Sequence, residues 1–514
     1  MNSQLSLADW TVVGAYIAAV VGGGILLSRR QSSSLGDYFR GGNQMAPWLV
    51  MFSVIATTQS AATFLGGPDY GYRGDYSYVG SFLGSAMAAV FVAKYLIARF
   101  YALGVTTVYE LLEMRFGHQA KQAAAGMYLV GRIFANGARL YMAAIAVSMM
   151  VFFNIEPASV TAAIILICLF SVGITLVGGI KSVIWSDFGQ FIVYFVAALA
   201  ALASLYIQID LSPIELIGAL RDAPNGQNKL ILYDFRFNVS NAFSFWAIIT
   251  GVCLLSIGNF GLDQDTTQRL LTCRNAQSAG RALILSSFFA IPIVFVFVTI
   301  GQLLHIFYDR PNVFAGGNAA REFSGETITV FMSYILTQMP SGVRGLATAG
   351  VVAAAISTMT SGLNAMSSVM ISDFYRPWRR QQHKVSDEAY YVRAGQWAML
   401  IFAMALGGMG VLCFYWQRYT DMPLLEFALS VMSFAYAGLI GVFFTALFTK
   451  RGSTQTVIAA LLAGFFAILV QQSYVVDLLR LPTAMRSVAF PWQLIVGTAV
   501  AACVCLMGKK QERV

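Results

Sequence analysis

Charge is the scarce material in this chain. Lys, Arg, Asp and Glu make up 11% of its 514 residues, where soluble domains carry roughly a quarter. A water-exposed surface of ordinary kind is therefore excluded. Histidine is scarcer still. His118, His305 and His383 lie far apart, which argues against histidine-based catalysis and zinc ligation. The six cysteines (Cys168, Cys253, Cys273, Cys413, Cys503 and Cys505) are scattered, mostly within apolar segments, and form neither a disulfide framework nor a metal-ligand spacing. A net charge of +9 invites thoughts of nucleic acid. The charges sit in short loops, however, and nucleic acid is not implied.

What fills the chain is apolar. Hydrophobic residues make up 58%, the mean hydropathy is +0.67, and Phe (38), Gly (46) and Met (21) suit tightly packed helices. These values imply an integral membrane protein in a lipid bilayer. Thirteen apolar spans are expected near 7–27, 46–66, 77–99, 122–153, 157–178, 183–207, 241–262, 281–306, 341–372, 390–416, 423–448, 454–475 and 488–507. The first is not a signal peptide: Asp9 opens it and Arg29 and Arg30 follow it, the reverse of a cleaved leader. With the N-terminus outside, the inward segments hold 20 of the 33 Lys and Arg and the outer ones 10. The remaining three (Lys94, Arg132 and Arg139) lie inside spans. That asymmetry places the C-terminus in the cytoplasm.

Residues 353–373 are polar for a membrane helix, carrying Ser357, Thr358, Thr360, Ser361, Asn364, Ser367 and Ser368. Ala354, Ser357, Thr358 and Ser361 recur at helical spacing and share a face. One reading is a small-residue stripe for close helix packing. The other is a row of hard, neutral oxygens suited to a small monovalent cation such as Na⁺. Two spans are interrupted. The second carries Ala56-Thr57-Thr58-Gln59-Ser60 before Gly66-Gly67-Pro68, and the seventh runs through Ser256-Ile257-Gly258-Asn259 into Asp263 and Asp265. Breaks at this depth are tolerated where freed backbone groups line a cavity, and an offset of five spans suits two inverted five-helix repeats. Asp187 lies about a turn inside the sixth span, either facing a cavity or partner or paired with Lys181 or a loop arginine. Arg132 and Arg139 are read as counter-ions for Asp187 or for Asp263 and Asp265.

Six stretches in order resemble the sodium:solute symporter family, which includes sodium–glucose, sodium–iodide and sialic acid symporters. They are the opening stretch, 37–42 (DYFRGG), the insert at 53–66, 107–116 (TVYELLEMRF), 178–190 (GGIKSVIWSDFGQ) and 263–269 (DQDTTQR). The resemblance spans about 10–450. It implies an all-α, LeuT-like fold forming a single transport domain over 1–514. Residues 1–45 would be an extra first helix and loop, 46–207 and 241–448 the repeats, 454–507 two extra helices and 508–514 a short cytoplasmic tail. It further implies a Na⁺-coupled symporter in the cell's inner (plasma) membrane, a monomer and not an enzyme, importing a small polar solute such as an organic anion, sugar or amino acid. A proton-coupled symporter, a membrane enzyme and a channel are the alternatives.

The resemblance also assigns residues. A shared Na⁺ site would use carbonyls of Ala56, Gln59 and Ala354 with hydroxyls of Ser357 and Thr358. A second Na⁺ site would use Asp187, Ser357, Thr360 and Ser361, giving two ions per solute. Solute contacts would come from Thr58, Ser60, Thr63 and Tyr78, with Arg132 and Asp263 as further candidates. The arginine that sialic acid symporters place on the fourth span aligns with Ala135, and Arg132 lies one turn away. Gln59 stands where the family usually has an apolar residue. Ser357→Ala and Thr358→Ala should each weaken the Na⁺ dependence of uptake in a folded protein, since each removes one oxygen from the cage. Uptake titrated with Na⁺ in proteoliposomes checks this, and wild-type affinity in both would misplace the site.

Overall fold

The computed structural model describes residues 5–28, 41–175, 180–222, 228–309, 323, 325–384, 386–420 and 422–509. Positions 37–40 and Gly178-Gly179 of the motifs above lie outside them. Helix α1 (Leu7–Ser28) leads, followed by α2 (Pro47–Thr58) and α3 (Ala61–Arg73), which bend by 59° at their junction, and α4 (Ser77–Leu103). Short α5 (Glu110–Phe116) precedes α6 (His118–Phe152), α7 (Pro157–Thr175), α8 (Ile180–Ile209) and the surface helix α9 (Pro213–Arg221). Then come α10 (Phe245–Leu262), α11 (Gln264–Leu270), α12 (Ala276–Asp309), α13 (Val330–Gln338), α14 (Val343–Gln381), α15 (Glu388–Thr420), α16 (Leu424–Phe448), α17 (Thr454–Val470) and α18 (Phe490–Leu506).

Among the described residues, nine of these helices are long and apolar enough to cross a membrane, or ten with the bent pair counted as one span. The apolar runs of α1, α17 and α18 are shorter, and fall where the remaining three spans are expected. Apart from one isolated bridge between Asp234 and Ser244, the described regular structure is helical. In hydrocarbon a helix satisfies its own backbone, which is why this composition gives this architecture.

Local chemistry sets the two breaks. Pro47 opens α2, where its missing N–H costs nothing. Gln59 then leaves helical geometry (φ −89°, ψ 89°), and the Ser60 side chain restarts the chain by accepting from Ala62 N at 3.2 Å. Asp263 does the same between α10 and α11, accepting from Asp265 N at 2.9 Å. Each break is thus an N-cap placed mid-membrane. α10 also contains two wider π-helical turns, at Ile248–Val252 and Gly258–Leu262.

α6, α14 and α16 form the centre. Over their spanning windows 83%, 89% and 89% of residues are buried, against 39% for α7 and 33% for α8, which therefore face lipid. Small residues permit this packing: a Cβ on Gly464 of α17 would stand 2.6 Å from Gly438 Cα of α16. The segment 107–116 works as a clasp. Thr107 donates to Asp373 (2.9 Å), Val108 N to Gln264 (3.2 Å), Tyr109 to the Leu262 carbonyl (2.9 Å), and Arg115 to carbonyls of Ala446 and Thr449 at the end of α16.

α1 is anchored by Asp9, which is fully buried. Its carboxylate accepts from Gly342 N and Gly345 N (2.8 Å each) at the start of α14 and pairs with Arg344 (2.6 Å). It is at once a helix cap and a salt bridge. Asp9→Ala should lower stability by about 3 kcal/mol, because it strands Arg344 and uncaps α14, with Asp9→Asn intermediate. Thermal unfolding of purified protein checks the order.

Candidate functional site

The break after α2 faces α14 and α8. Ala56, Gln59, Ala354 and Ser357, four of the five residues expected at the shared Na⁺ site, line one small cavity together with Gln190, Phe191, Tyr194 and Ala353. The fifth, Thr358, lies off this lining and donates to the Ala354 carbonyl one turn back, at 3.0 Å. Ser357 Oγ donates to Asp187 Oδ1 at 2.8 Å, leaving its lone pairs free. The cavity is a pocket of neutral oxygens with a carboxylate one hydroxyl away, and suits a monovalent cation.

The residues expected at the second Na⁺ site come together around a guanidinium that sequence reasoning missed. Arg269 of α11 donates to Asp187 Oδ2 from Nη2 (3.0 Å) and to Asp265 from Nη1 (2.6 Å), and Nη2 also reaches Ser361 Oγ. Ser53 adds a 2.6 Å bond to Asp187, and Thr360 turns back to the Ser357 carbonyl at 3.2 Å. Arg269 counted above among the inward loop charges, yet it is fully buried. Lys181 is exposed, so Asp187's partner is the more distant arginine. One signal was available: Arg269 follows Asp265 by four residues, a helical ion-pair spacing, on the half-helix of a broken span.

Arg132 and Asp263, expected as further solute contacts, belong to the same buried network. Arg132 donates to Asp263 at 2.7 Å and also to Asp265, while Tyr436 donates to Asp263 at 2.6 Å. The network holds three carboxylates (Asp187, Asp263 and Asp265) and two guanidiniums. Buried charge at this density persists only when each group is paired and hydrogen-bonded.

A larger cavity of about 90 Å³ lies beside it, lined by Thr58, Gln59, Tyr78, Arg139, Ser256 and Asn259, with serine hydroxyls of α4 and α12 completing the wall. Thr58 and Tyr78 were expected here. Ser60 is instead the cap of α3, and Thr63, also buried, does not line this space. Gln59 borders both cavities. Arg139 sits seven residues after Arg132, two turns along one face of α6, so α6 gives one guanidinium to the network and one to the cavity. Arg139 is only 6% exposed, and among the described residues it donates to the Met432 sulfur alone, at 3.7 Å. Among the described residues no carboxylate lies within ion-pair distance of it.

The sodium:solute symporter family profile matches residues 38–464. The chain is 27% identical over 474 residues to the sodium/sialic acid symporter SiaT of Proteus mirabilis, covering 90% of this chain and 88% of that one. It is 25% identical over 463 residues to the sodium/sialic acid symporter NanT of Aliivibrio fischeri, covering 90% and 87%. A solved Na⁺-coupled sialic acid symporter, in a substrate-bound outward-open state, superposes with a TM-score of 0.80 at 22% identity over 99% of this chain and all of that one. That likeness shows the fold.

The ion network makes a testable claim about pairing. Asp187→Asn and Arg269→Gln should each lower stability by roughly 3 kcal/mol, as each leaves a buried charge unbalanced. The double variant should recover part of the loss. A double-mutant cycle on thermal unfolding reads the coupling, and strict additivity would mean the two groups do not interact.

Proposed function

Because this chain belongs to the sodium:solute symporter family, we propose that its solute is an organic anion whose carboxylate is held by Arg139. The protein is a multi-pass, sodium-coupled solute symporter, a transporter and not an enzyme. The observation carrying the proposal is a buried guanidinium in the wall of a cavity, with no carboxylate within ion-pair distance among the described residues. Such a group is costly to keep in a membrane interior unless an anion arrives to meet it. Around it stand Thr58, Tyr78, Ser256 and Asn259, donors and acceptors suited to a polyhydroxylated acid. Two relatives are named for sialic acid, and a sugar acid of that class is the solute we favour.

Charge counting supports coupling. Arg139 and the network around Arg269 together hold three carboxylates and three guanidiniums. A monoanion on Arg139 leaves one negative charge in excess, and one Na⁺ in the adjoining cavity restores balance. Two opposite charges about 8 Å apart at an effective dielectric near 20 attract by about 2 kcal/mol, enough for a roughly thirtyfold mutual gain in affinity, reciprocal by linkage. Asp187 Oδ2 and Ser361 Oγ, which would receive a second Na⁺, are engaged by Arg269, and Asp187 Oδ1 by Ser357. We therefore read one Na⁺ per monoanion in place of two.

The architecture we assign is LeuT-like. The first repeat runs from α2 to α8 and the second from α10 to α16, with α1 in front and α17 and α18 behind. Each repeat then begins with a broken span, and its third span, α6 or α14, is a deeply buried one. We place the chain in the plasma membrane with its N-terminus outside.

The test is a thermal-shift screen of purified protein against sugar acids, monocarboxylates, hexoses and amino acids, with and without Na⁺. Acids should stabilise only with Na⁺. Arg139→Gln should abolish that response, weakening solute affinity at least a hundredfold, while the shift with Na⁺ alone persists. A hexose response indifferent to Arg139→Gln would overturn the reading.

A further inference from the structure

A third cavity is built of hydrocarbon. It holds about 830 Å³ between α4, α8, α9, α12 and the segment 230–232, with Leu199, Tyr206, Leu216, Ile217 and Phe295 in its wall. Where hydroxyls of α4 and α12 reach that wall, Tyr76 and Thr299 bond each other at 3.1 Å. Apolar space of this kind does not hold ordered water, and close-packed proteins rarely leave so large a void. The cavity is a groove open at the side. Leu199, Tyr206 and Phe295 are 41%, 41% and 50% exposed, and α8 is the least buried of the nine long spans.

Ile217 both lines the groove and is 55% exposed, which puts α9 at its mouth. Leu216 and Leu220 of this helix pack inward, while Ile214 on the other side is 82% exposed. A short helix apolar on both sides suits a membrane interface better than water. Arg221 follows Ile217 by four residues and so shares its face of α9. It is exposed and has no carboxylate within ion-pair distance among the described residues.

We propose that this groove binds a phospholipid with an anionic headgroup, an acyl chain filling the groove and the phosphate meeting Arg221. Acyl chains are what a groove open to the bilayer meets, and a guanidinium pairs with phosphate through charge-assisted, bidentate hydrogen bonds. The site is separate from the cation and solute cavities, yet it touches the broken span indirectly. Leu230 and Leu232 of the wall flank Ile231, whose carbonyl accepts from Tyr76 N at 3.0 Å. Lys229 beside them donates to the Tyr72 and Gly74 carbonyls at the end of α3, at 3.0 and 2.8 Å. A chain in the groove therefore packs on the loop that caps the second half of the broken span.

Native mass spectrometry of the purified full-length protein, delipidated and then given phosphatidylglycerol or phosphatidylcholine in detergent, tests this. The wild type should retain one phosphatidylglycerol, about fivefold more readily than phosphatidylcholine, as one basic side chain at the surface provides. Ala203→Trp, which puts an indole into the groove from an exposed position, should cut retention of either lipid about tenfold, because it displaces several buried methylenes. Ile217→Gln makes the mouth polar without adding bulk and should lower retention as well. Arg221→Gln should hold both lipids equally, at the wild type's level for phosphatidylcholine. Glycerol phosphate, the charge without the chains, should not bind. Wild-type retention in both Ala203→Trp and Ile217→Gln would overturn the proposal. So would a lipid preference that survives Arg221→Gln, or glycerol phosphate competing as well as the lipid.

Discussion

Arg269 is the charge on which the arrangement depends. It sits on the short half-helix beyond the second break and reaches Asp187 on α8, Ser361 on α14 and Asp265 on its own helix. A guanidinium suits this position better than an ammonium would, since its planar fork serves several acceptors at fixed angles. Interrupting a helix in hydrocarbon exposes backbone groups that water cannot reach. The side-chain cap at Asp263 and the ion pairs behind it fasten the loose end. The same groups stand beside the small cavity proposed for the cation, since Ser357 of its wall donates to Asp187. Any event that changes the local charge acts on helix positions directly.

The two cavities meet at Gln59. Its backbone belongs to the break in the bent span, and its side chain lies between the space suited to a cation and the space containing Arg139. Alternating access needs a ligand that favours one arrangement of helices over another. On the proposed reading, a cation held by oxygens of α2 and α14 would join those two helices, and an anion on Arg139 would bring α6 to the same place. The clasp built from 107–116 ties the end of α10, α11, α14 and the end of α16 by separate hydrogen bonds.

Much of this was legible in the sequence, for physical reasons. Scarce charge and long apolar runs announce a membrane protein. Polar inserts at Thr57-Thr58-Gln59-Ser60 and at Asp263 mark the breaks because a membrane helix tolerates such residues only with a purpose. Spacing grouped Ala354, Ser357 and Thr358, and the structure brings Ala354 and Ser357 to one cavity wall. Partner choice was not legible. Arg132 and Arg139 share a helix face and differ only by two turns, and nothing local says that one meets Asp263 while the other meets open space. Arg269 lies next to a loop in sequence and was counted with it. Its burial is decided by α8 and α14, which are remote along the chain. The family resemblance assigned Ser60 and Thr63 to the cavity as part of the interrupted insert, yet the cap at the break also demands a hydroxyl, and Ser60 supplies it.

The two π-helical turns of α10 have a bearing on how this protein acquires new solutes. Each such turn accommodates one residue more than an α-helical turn would, and Ser256 and Asn259 of the cavity wall lie after the first of them. Deleting a single residue from that turn would convert it to ordinary helix and rotate everything on one side by about 100° relative to the other. The lining would then present a different row of side chains to the same cavity, with the membrane span nearly unchanged in length. Specificity in α10 is therefore open to revision by a change of register, a route on which one small deletion achieves what several coordinated substitutions would otherwise require.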